Sequence, residues 1–188
     1  MSEETLRRKL VGTGKLLYQR GLVHASSGNI SVKVKAGILI KSKGSRLGNL
    51  SQKDMVKVDT EGRAYGGTPS KELPMHLAVY QTNPAVRAVI HTHPTFTTTW
   101  SMTGKPLKPQ TVEGRDLLGK VPIVGYAKPG SEKLARTTSK KLKGRKAVLL
   151  KGHGVVAVGK SLTEAFDIVE LVEEAAKIEI ISKLLKKR

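Results

Sequence analysis

The stretch AVRAVIHTHPTF, residues 85–96, predicts a buried strand that ends in two histidines. Its run VRAVIH (86–91) is interpreted as one continuous apolar strand. Because residues two apart on a strand point to the same face, His91 and His93 project side by side and can reach one metal ion. Pro94 cannot donate to a strand ladder, so the pair should lie at the mouth of the sheet.

The composition is that of a globular α/β protein. The 188 residues, 38% hydrophobic and 26% charged, are enough for one domain with a full hydrophobic core. We therefore expect a single domain over residues 1–188, with a short basic C-terminal tail, KLLKKR. The absence of cysteine excludes a disulfide scaffold, a Cys-ligated zinc site and a thiol nucleophile. No apolar run approaches the ~20 residues of a membrane span, so we expect a cytoplasmic protein without a membrane partner.

Charge is the unusual feature of the composition. The chain has 34 Lys and Arg against 15 Asp and Glu, a formal charge of +19. Such a surplus attracts anions and would suit a nucleic-acid-binding protein. However, the basic residues are spread along the chain, and aromatic residues, on which bases could stack, amount to 4%. No zinc-finger or RNP-like motif occurs, so we expect no nucleic-acid partner.

Periodicity and turn residues predict alternating strands and helices. Helices are predicted over residues 3–20, 71–82 and 131–144, and from the capping box SLTE at 161–164 onward. Strands are predicted over residues 29–34, 37–42, 55–59, 86–91, 121–126, 146–150 and 154–158. Because no linker or internal repeat separates these elements, they predict one α/β domain.

Two further residues extend the metal hypothesis. His153 lies in LLKGHGVV, where a buried strand reaches a turn and flanking glycines leave the imidazole unobstructed. Glu72 lies in TPSKELP at a helix start, where the helix dipole favours a carboxylate. Three imidazoles and one carboxylate suit Zn²⁺, and Mn²⁺, Co²⁺ and Fe²⁺ are also compatible. Alternatively, His153 bonds a turn carbonyl and Glu72 is a helix N-terminal charge. The remaining histidines, His24 and His76, are assigned no role.

Three loops have the composition of an anion site. They are ASSGNIS (25–31), KSKGSR (41–46) and TPSKE (68–72). Small residues leave backbone N–H groups accessible, hydroxyl and amide groups donate, and lysine supplies charge. The Walker motif GxxxxGK[ST] is absent, which argues against nucleotide hydrolysis. Because the third loop contains Glu72, a phosphorylated substrate could lie across the metal.

Five motifs follow one another along the chain: GN at 28–29, SKG at 42–44, PSKE at 69–72, HTH at 91–93 and GHG at 152–154. In this order they resemble the class II aldolase/adducin family, and within it the L-fuculose-1-phosphate aldolase branch, over nearly the whole chain. The resemblance implies an α/β/α three-layer sandwich with a central, largely antiparallel sheet. It also implies a homotetramer with active sites between subunits.

The resemblance further implies a reaction and the residues that perform it. The reaction is reversible aldol cleavage of a small ketose 1-phosphate to dihydroxyacetone phosphate and an aldehyde. By the family's pattern, zinc is bound by Glu72, His91, His93 and His153, and Glu72 becomes the acid/base once substrate displaces it. The positions that hold substrate phosphate are Gly28, Asn29, Lys43, Gly44, Ser70 and Lys71.

One departure from the family leaves the reaction type open. Aldolases of this branch carry a tyrosine about twenty residues past the HxH motif, where this chain has TVEGRD (111–116). Glu113 is the candidate replacement as acid/base, and it is equally well interpreted as a surface charge. A dehydratase or a 4-epimerase therefore stays an alternative, although the epimerases prefer aspartate at the position of Glu72. A non-catalytic adducin-like module is a further alternative, against which the complete metal set argues.

Overall fold

The structure, a computed structural model, describes residues 1–186 and is built around one open β-sheet; Lys187 and Arg188 of the expected basic tail lie outside it. Within the described residues the sheet has eight strands: β1 Asn29–Val34, β2 Gly37–Lys41, β3 Met55–Val58, β4 Ala64–Tyr65, β5 Ala88–Thr92, β6 Ile123–Val124, β7 Ala147–Leu150 and β8 Gly154–Gly159. Their order is β4-β3-β2-β1-β5-β8-β7-β6. All neighbours are antiparallel except β6 and β7, as the expected largely antiparallel sheet requires.

Helices cover both faces of this sheet. The described residues form six: α1 Glu3–Gln19, α2 Leu73–Thr82, α3 Thr95–Met102, α4 Val112–Leu118, α5 Glu132–Leu142 and α6 Leu162–Leu185. Helices α2 and α5 pack together on one face, while α1, α3 and α4 pack with α6 on the other. The predicted α/β/α three-layer sandwich is confirmed. None of the described helices combines the length and apolar character that a membrane crossing needs.

Two separate hydrophobic cores result, one on each face of the sheet. In β2, Ile38 and Ile40 join the core beneath α2 and α5, whereas Leu39 between them joins the core beneath α1 and α6. In β5, Val89 belongs to the first core and Ile90 to the second. Strands buried on both faces read as continuous apolar runs, which explains the pattern of residues 86–91.

Several element boundaries differ from those predicted. The strand predicted over 121–126 is limited to Ile123–Val124, because Pro122 has no N–H for the ladder and Gly125 weakens a strand. The second helix begins at Leu73, so Pro74 lies in its first turn, where a missing N–H is tolerated. Strand β4 and helices α3 and α4 were not predicted. Residues 183–185 of the expected tail belong to α6.

The ends of three strands lie close together at one edge of the sheet. Asn29, the first residue of β1, is paired with His91 near the end of β5. The turn between β7 and β8 packs against the same strand end, because Gly154 has a φ of +126° and a Cβ there would lie 2.1 Å from the Thr92 carbonyl oxygen. Only glycine permits this approach. It brings His153 beside the end of β5.

Candidate active site

The three expected histidines meet at this edge. The Nε2 atom of His91 lies 3.0 Å from Nε2 of His93 and 3.3 Å from Nε2 of His153. The ring centroids are 4.6–4.7 Å apart. His91 is fully buried, and the other two rings are half-buried. The structure therefore places three imidazole nitrogens from two parts of the chain around one point.

Hydrogen bonding and burial leave lone pairs directed at that point. The Nδ1 atom of His91 lies 2.9 Å from the carbonyl oxygen of Val155. Since a carbonyl oxygen only accepts, Nδ1 carries the proton and Nε2 has a free lone pair. Burial lowers the pKa of His91 well below its ordinary value and that of His93 to about 4. Burial, assisted by the charge of Lys71, also lowers the pKa of His153.

Neutral imidazoles in this arrangement could bind one metal ion. Zinc ligands about 2.0–2.1 Å from the ion in tetrahedral geometry are separated by about 3.3 Å. The observed separations of 3.0 and 3.3 Å between Nε2 atoms match this spacing. The hydrogen bond from His91 to the backbone fixes the ring orientation, as is usual behind a metal ligand. The donor set thus fits a divalent transition metal.

Glu72 lines the cavity beside the cluster, and its carboxylate group has no hydrogen-bond partner among the described residues. The residue precedes α2 and is 2% exposed, yet neither carboxylate oxygen is paired with any described residue. Burial raises the pKa of its carboxyl group. The carboxylate lines the same cavity as the three histidines but does not fall within the 4.8 Å grouping of their ligand atoms. A buried, unpartnered carboxyl group requires a cation or a proton.

A cavity of about 500 Å³ joins the histidines to the three predicted loops. All six expected phosphate positions line it: Gly28, Asn29, Lys43, Gly44, Ser70 and Lys71. The second and third loops are held together by backbone hydrogen bonds from Ser70 N to Lys41 O and from Lys43 N to Thr68 O, both 2.9 Å long. The three loops therefore form one surface, although they are far apart in the sequence.

Lys41 lines the cavity too; it belongs to the predicted loop KSKGSR but was not among the six expected phosphate positions. It ends β2 and is only 3% exposed, although its side chain carries an ammonium group. Burial lowers its pKa, and Nζ donates to the carbonyl oxygen of Ser42 at 3.3 Å. The sequence feature that could have indicated this role is a lysine at the point where the apolar strand GILIK ends and a loop begins. A buried cation on a cavity wall favours an anionic ligand.

The structure also shows where His76, Glu113 and His24 lie relative to the cluster. His76, which was assigned no role, is fully buried behind Asn29, with Nε2 2.5 Å from Oδ1 of that residue. Glu113 lies in the first turn of α4 with an exposed side chain and does not line the cavity. Within one chain, the structure therefore does not bring Glu113 to the histidines. His24 lines the cavity but does not belong to the group of three histidines found among the described residues.

Comparison with known proteins identifies relatives along almost the full chain. A family model described as Class II Aldolase and Adducin N-terminal domain matches residues 8–180. An L-fuculose phosphate aldolase of Methanocaldococcus jannaschii is 36% identical over 181 residues, covering 96% of this chain and 99% of that protein. A 3-oxo-tetronate 4-phosphate decarboxylase of Haemophilus influenzae is 36% identical over 185 residues, covering 95% and 88%.

A solved structure agrees in fold as well as in sequence. The L-fuculose-1-phosphate aldolase of Thermus thermophilus superimposes with a TM-score of 0.91 at 31% identity, covering 97% of this chain and 96% of that one. The relatives are aldolases and decarboxylases, so the expectation of a lyase is confirmed. The chain belongs to the class II aldolase and adducin N-terminal domain family.

Proposed function

We propose that this chain is a zinc-dependent aldolase that cleaves a small ketose 1-phosphate, of the fuculose-1-phosphate type, to dihydroxyacetone phosphate and an aldehyde. The observation that carries the proposal is the cavity in which three convergent imidazole nitrogens face three Ser-, Gly- and Lys-containing loops. One end of that cavity suits a cation and the other suits a phosphate group. A phosphorylated sugar with vicinal oxygens matches both ends.

The metal end of the cavity would stabilise the negative charge that develops on the substrate oxygens during the reaction. His91, His93 and His153 would hold zinc, with Glu72 as a further ligand before substrate binds, and Mn²⁺, Co²⁺ or Fe²⁺ suits the same donors. The ion would act as a Lewis acid toward the carbonyl and neighbouring hydroxyl oxygens of the substrate, a role worth several kcal/mol. The low pKa of the imidazoles keeps them available as ligands at neutral pH.

The loop end accounts for substrate binding. Lys41, Lys43 and Lys71 supply positive charge around the cavity, while Asn29 and Ser70 supply neutral donors. Gly28 has a φ of +75°, and a Cβ there would lie 2.9 Å from the His91 carbonyl oxygen, so the loop needs glycine to lie against β5. Charge-assisted hydrogen bonds from several loops would hold the phosphate dianion in one orientation.

Glu72 is the proposed acid/base. In aldol cleavage the hydroxyl group on the departing carbon loses its proton to solvent, the carbon–carbon bond breaks and the aldehyde leaves. The electron pair of that bond moves into the remaining fragment, which becomes an enediolate. The carboxyl group of Glu72 would deliver the proton that converts this enediolate carbon to the hydroxymethyl group of dihydroxyacetone phosphate. Burial raises the pKa of Glu72 and so favours the protonated form that this step consumes.

Decarboxylation of a phosphorylated 3-oxo acid is a second candidate function. It is favoured by the 36% identity to a 3-oxo-tetronate 4-phosphate decarboxylase, which equals the identity to the archaeal aldolase. In that reaction the bond to the carboxylate breaks, CO₂ leaves, and the same kind of enediolate is protonated. The lysines of the cavity would suit a substrate with both a phosphate and a carboxylate.

A homotetramer with sites completed by neighbouring subunits is part of the proposal. Large apolar side chains are exposed on the single chain: Met102, Val112, Tyr126, Leu184 and Leu185. An assembly would bury such groups, and it is the arrangement in which Glu113 could reach a cavity. Size-exclusion chromatography with light scattering should give about four times the 20.3 kDa chain mass. A monomer with full activity would contradict the shared site.

The functional test compares two substrates under identical conditions. Dihydroxyacetone phosphate with a panel of aldehydes should yield a ketose 1-phosphate, and a chelator should abolish the product. The parallel assay supplies 3-oxo-tetronate 4-phosphate and measures CO₂ release. A faster second reaction would replace the aldolase assignment with the decarboxylase. If zinc-loaded protein turned over neither substrate, the proposed lyase activity on small sugar phosphates would be refuted.

A further inference from the structure

A chain of hydrogen bonds runs behind the cavity from Asn29 to a buried tyrosine. Oδ1 of Asn29 lies 2.5 Å from Nε2 of His76, and Nδ1 of His76 lies 2.7 Å from Oγ of Ser31. Oγ of Ser31 lies 2.8 Å from the hydroxyl of Tyr80. His76 and Ser31 are fully buried and Tyr80 is 5% exposed. Of these four residues only Asn29 lines the cavity, so the other three do not touch a ligand there directly.

Secondary structure explains why these side chains meet. Asn29 and Ser31 are two residues apart on β1 and therefore point to the same face of the sheet. His76 and Tyr80 are four residues apart on α2 and therefore lie on the same face of the helix. The helix packs over the strand, so the two pairs interdigitate. Backbone pairing of Asn29 with His91 holds the cavity end of this arrangement in place.

Proton donation along this chain has one consistent direction. Oδ1 of Asn29 can only accept, so the donors of the chain point toward it, and the Tyr80 hydroxyl donates to Oγ of Ser31. Ser31 then donates to Nδ1 of His76. Burial lowers the pKa of His76 to about 3, so the ring is neutral and its single proton is on Nε2. Nε2 donates to Oδ1 of Asn29, and the amide nitrogen of Asn29 is left for the cavity.

We propose that His76, Ser31 and Tyr80 are positioning residues that hold the Asn29 carboxamide with its NH₂ group toward the substrate phosphate. This inference rests on the phosphate site of the proposed function. A carboxamide rotated by half a turn would present its oxygen, an acceptor, to the phosphate oxygens and repel them. A neutral histidine with a fixed tautomer prevents that rotation, because its Nε2–H pairs only with the oxygen. The buried chain thus makes this corner of the cavity selective for an anion.

The test uses inorganic phosphate as the probe and the full-length chain as the protein. Isothermal titration measures the phosphate Kd of the wild type and of Asn29→Ala, His76→Phe and Tyr80→Phe. Loss of one hydrogen bond to a charged group should weaken binding about tenfold in Asn29→Ala and in His76→Phe. Tyr80→Phe, which removes a single hydroxyl, should weaken it about threefold. Val79→Ala, a core truncation in the same helix without a contact to Asn29, is the control and should leave the Kd unchanged.

A double variant separates positioning from general destabilisation. Because the chain acts through Asn29, Asn29→Ala combined with His76→Phe should bind phosphate no more weakly than Asn29→Ala alone. In turnover assays, His76→Phe should raise KM for the phosphorylated substrate about tenfold and change kcat far less, since the lost hydrogen bond serves binding. If His76→Phe does not fold, Tyr80→Phe tests the same positioning role, because this variant preserves nearly all the packing volume.

Three results would contradict the proposal, two of them its positioning role and the third the phosphate site itself. Normal phosphate binding in both His76→Phe and Tyr80→Phe, with weak binding in Asn29→Ala, would overturn the positioning role alone. Additive losses in the double variant would do the same. Normal phosphate binding in Asn29→Ala would instead remove Asn29 from the phosphate site, and the proposed cradle would fail with it.

Discussion

Two neighbouring groups of buried polar side chains differ in whether their donors and acceptors are paired within the protein. In the chain of Asn29, His76, Ser31 and Tyr80, every link is a hydrogen bond of 2.5–2.8 Å. A neutral histidine there has one donor and one acceptor, and both are used. Apart from the amide nitrogen of Asn29, which faces the cavity, the hydrogen bonds of this group are complete without any ligand. It resembles the satisfied polar networks that specify a unique core.

The histidine cluster at the strand ends is not complete. Nε2 atoms of His91, His93 and His153 face each other, and the lone pair on His91 Nε2 points at its neighbours. Glu72 beside them is buried with both carboxylate oxygens unpaired among the described residues. Such groups cost folding free energy unless a cation or a proton compensates them. The contrast indicates that the first group supports the fold and fixes the orientation of Asn29, whereas the second group requires a bound cation or a proton.

Replacement of Glu72 should produce the largest change in activity. In Glu72→Gln the side chain keeps its size but cannot deliver a proton, so kcat should fall by about 10²–10⁴. Zinc content should be retained, because the three imidazoles stay in place. The measurement is kcat for aldol cleavage together with elemental analysis of the same sample. Unchanged turnover would assign proton transfer to another residue.

Acid should destabilise the protein through its buried histidines. His76 has a pKa of about 3 in the folded state and about 6.5 when unfolded, so the unfolded chain binds more protons between these values. Stability is therefore fully present above pH 6.5 and is lost as pH falls, with His76 alone contributing about 2 kcal/mol between pH 7 and 5. Urea midpoints of metal-free protein at the two pH values measure this. His76→Phe should show a correspondingly shallower loss; an equal loss in both proteins would refute the buried neutral ring.

The free energy of unfolding of the metal-free protein tests the contrast between the two groups of buried polar side chains. His76→Phe leaves Oδ1 of Asn29 without its partner and Ser31 with only its bond to Tyr80, and should cost about 1–3 kcal/mol of unfolding free energy. Glu72→Gln removes an unpaired buried acid and should have no cost or a small gain. Urea denaturation in the presence of chelator compares the two variants. Equal destabilisation by both would mean that Glu72 also has a structural partner.

Glu113→Gln should have the smallest effect. Its side chain is exposed on α4 and does not line the cavity of its own chain, so turnover should change far less than in Glu72→Gln. The measurement is kcat at saturating substrate, with Asp116→Asn on the same helix as the matched control. A loss comparable to that of Glu72→Gln, absent from the control, would place Glu113 in the cavity of a neighbouring subunit.

Local sequence rules predicted the parts of the site that lie on strand ends and turns. The HTH motif, the glycines around His153 and the loop at Ser70 each have a short-range pattern, and the structure places all of them on one cavity. The strand predicted at 86–91 follows from burial on both faces, and the observed β5 lies within it except for its last residue. A single α/β domain was predictable for the same reason, since apolar runs alternate with capped helices, whereas the three-layer sandwich with its largely antiparallel sheet was implied by the family resemblance.

The missed elements depend on contacts between distant residues. Helix α3 has the sequence TFTTTWSM, and threonine is a weak helix former. Its N-terminus is instead held by Glu173 of α6, which accepts from the backbone N–H groups of Phe96 and Thr97 at 3.0 and 2.8 Å. The chain from Asn29 to Tyr80 likewise joins residues more than forty positions apart. No local window contains either pattern.

The most direct test of the shared metal site is the amount of zinc bound per chain. Protein dialysed against zinc and then against buffer is analysed for metal and sulfur, with circular dichroism to verify folding. The wild type and the positioning variant His76→Phe should each hold about one zinc per chain, and His93→Ala should hold none. A folded wild-type protein that retains no divalent metal would contradict the account.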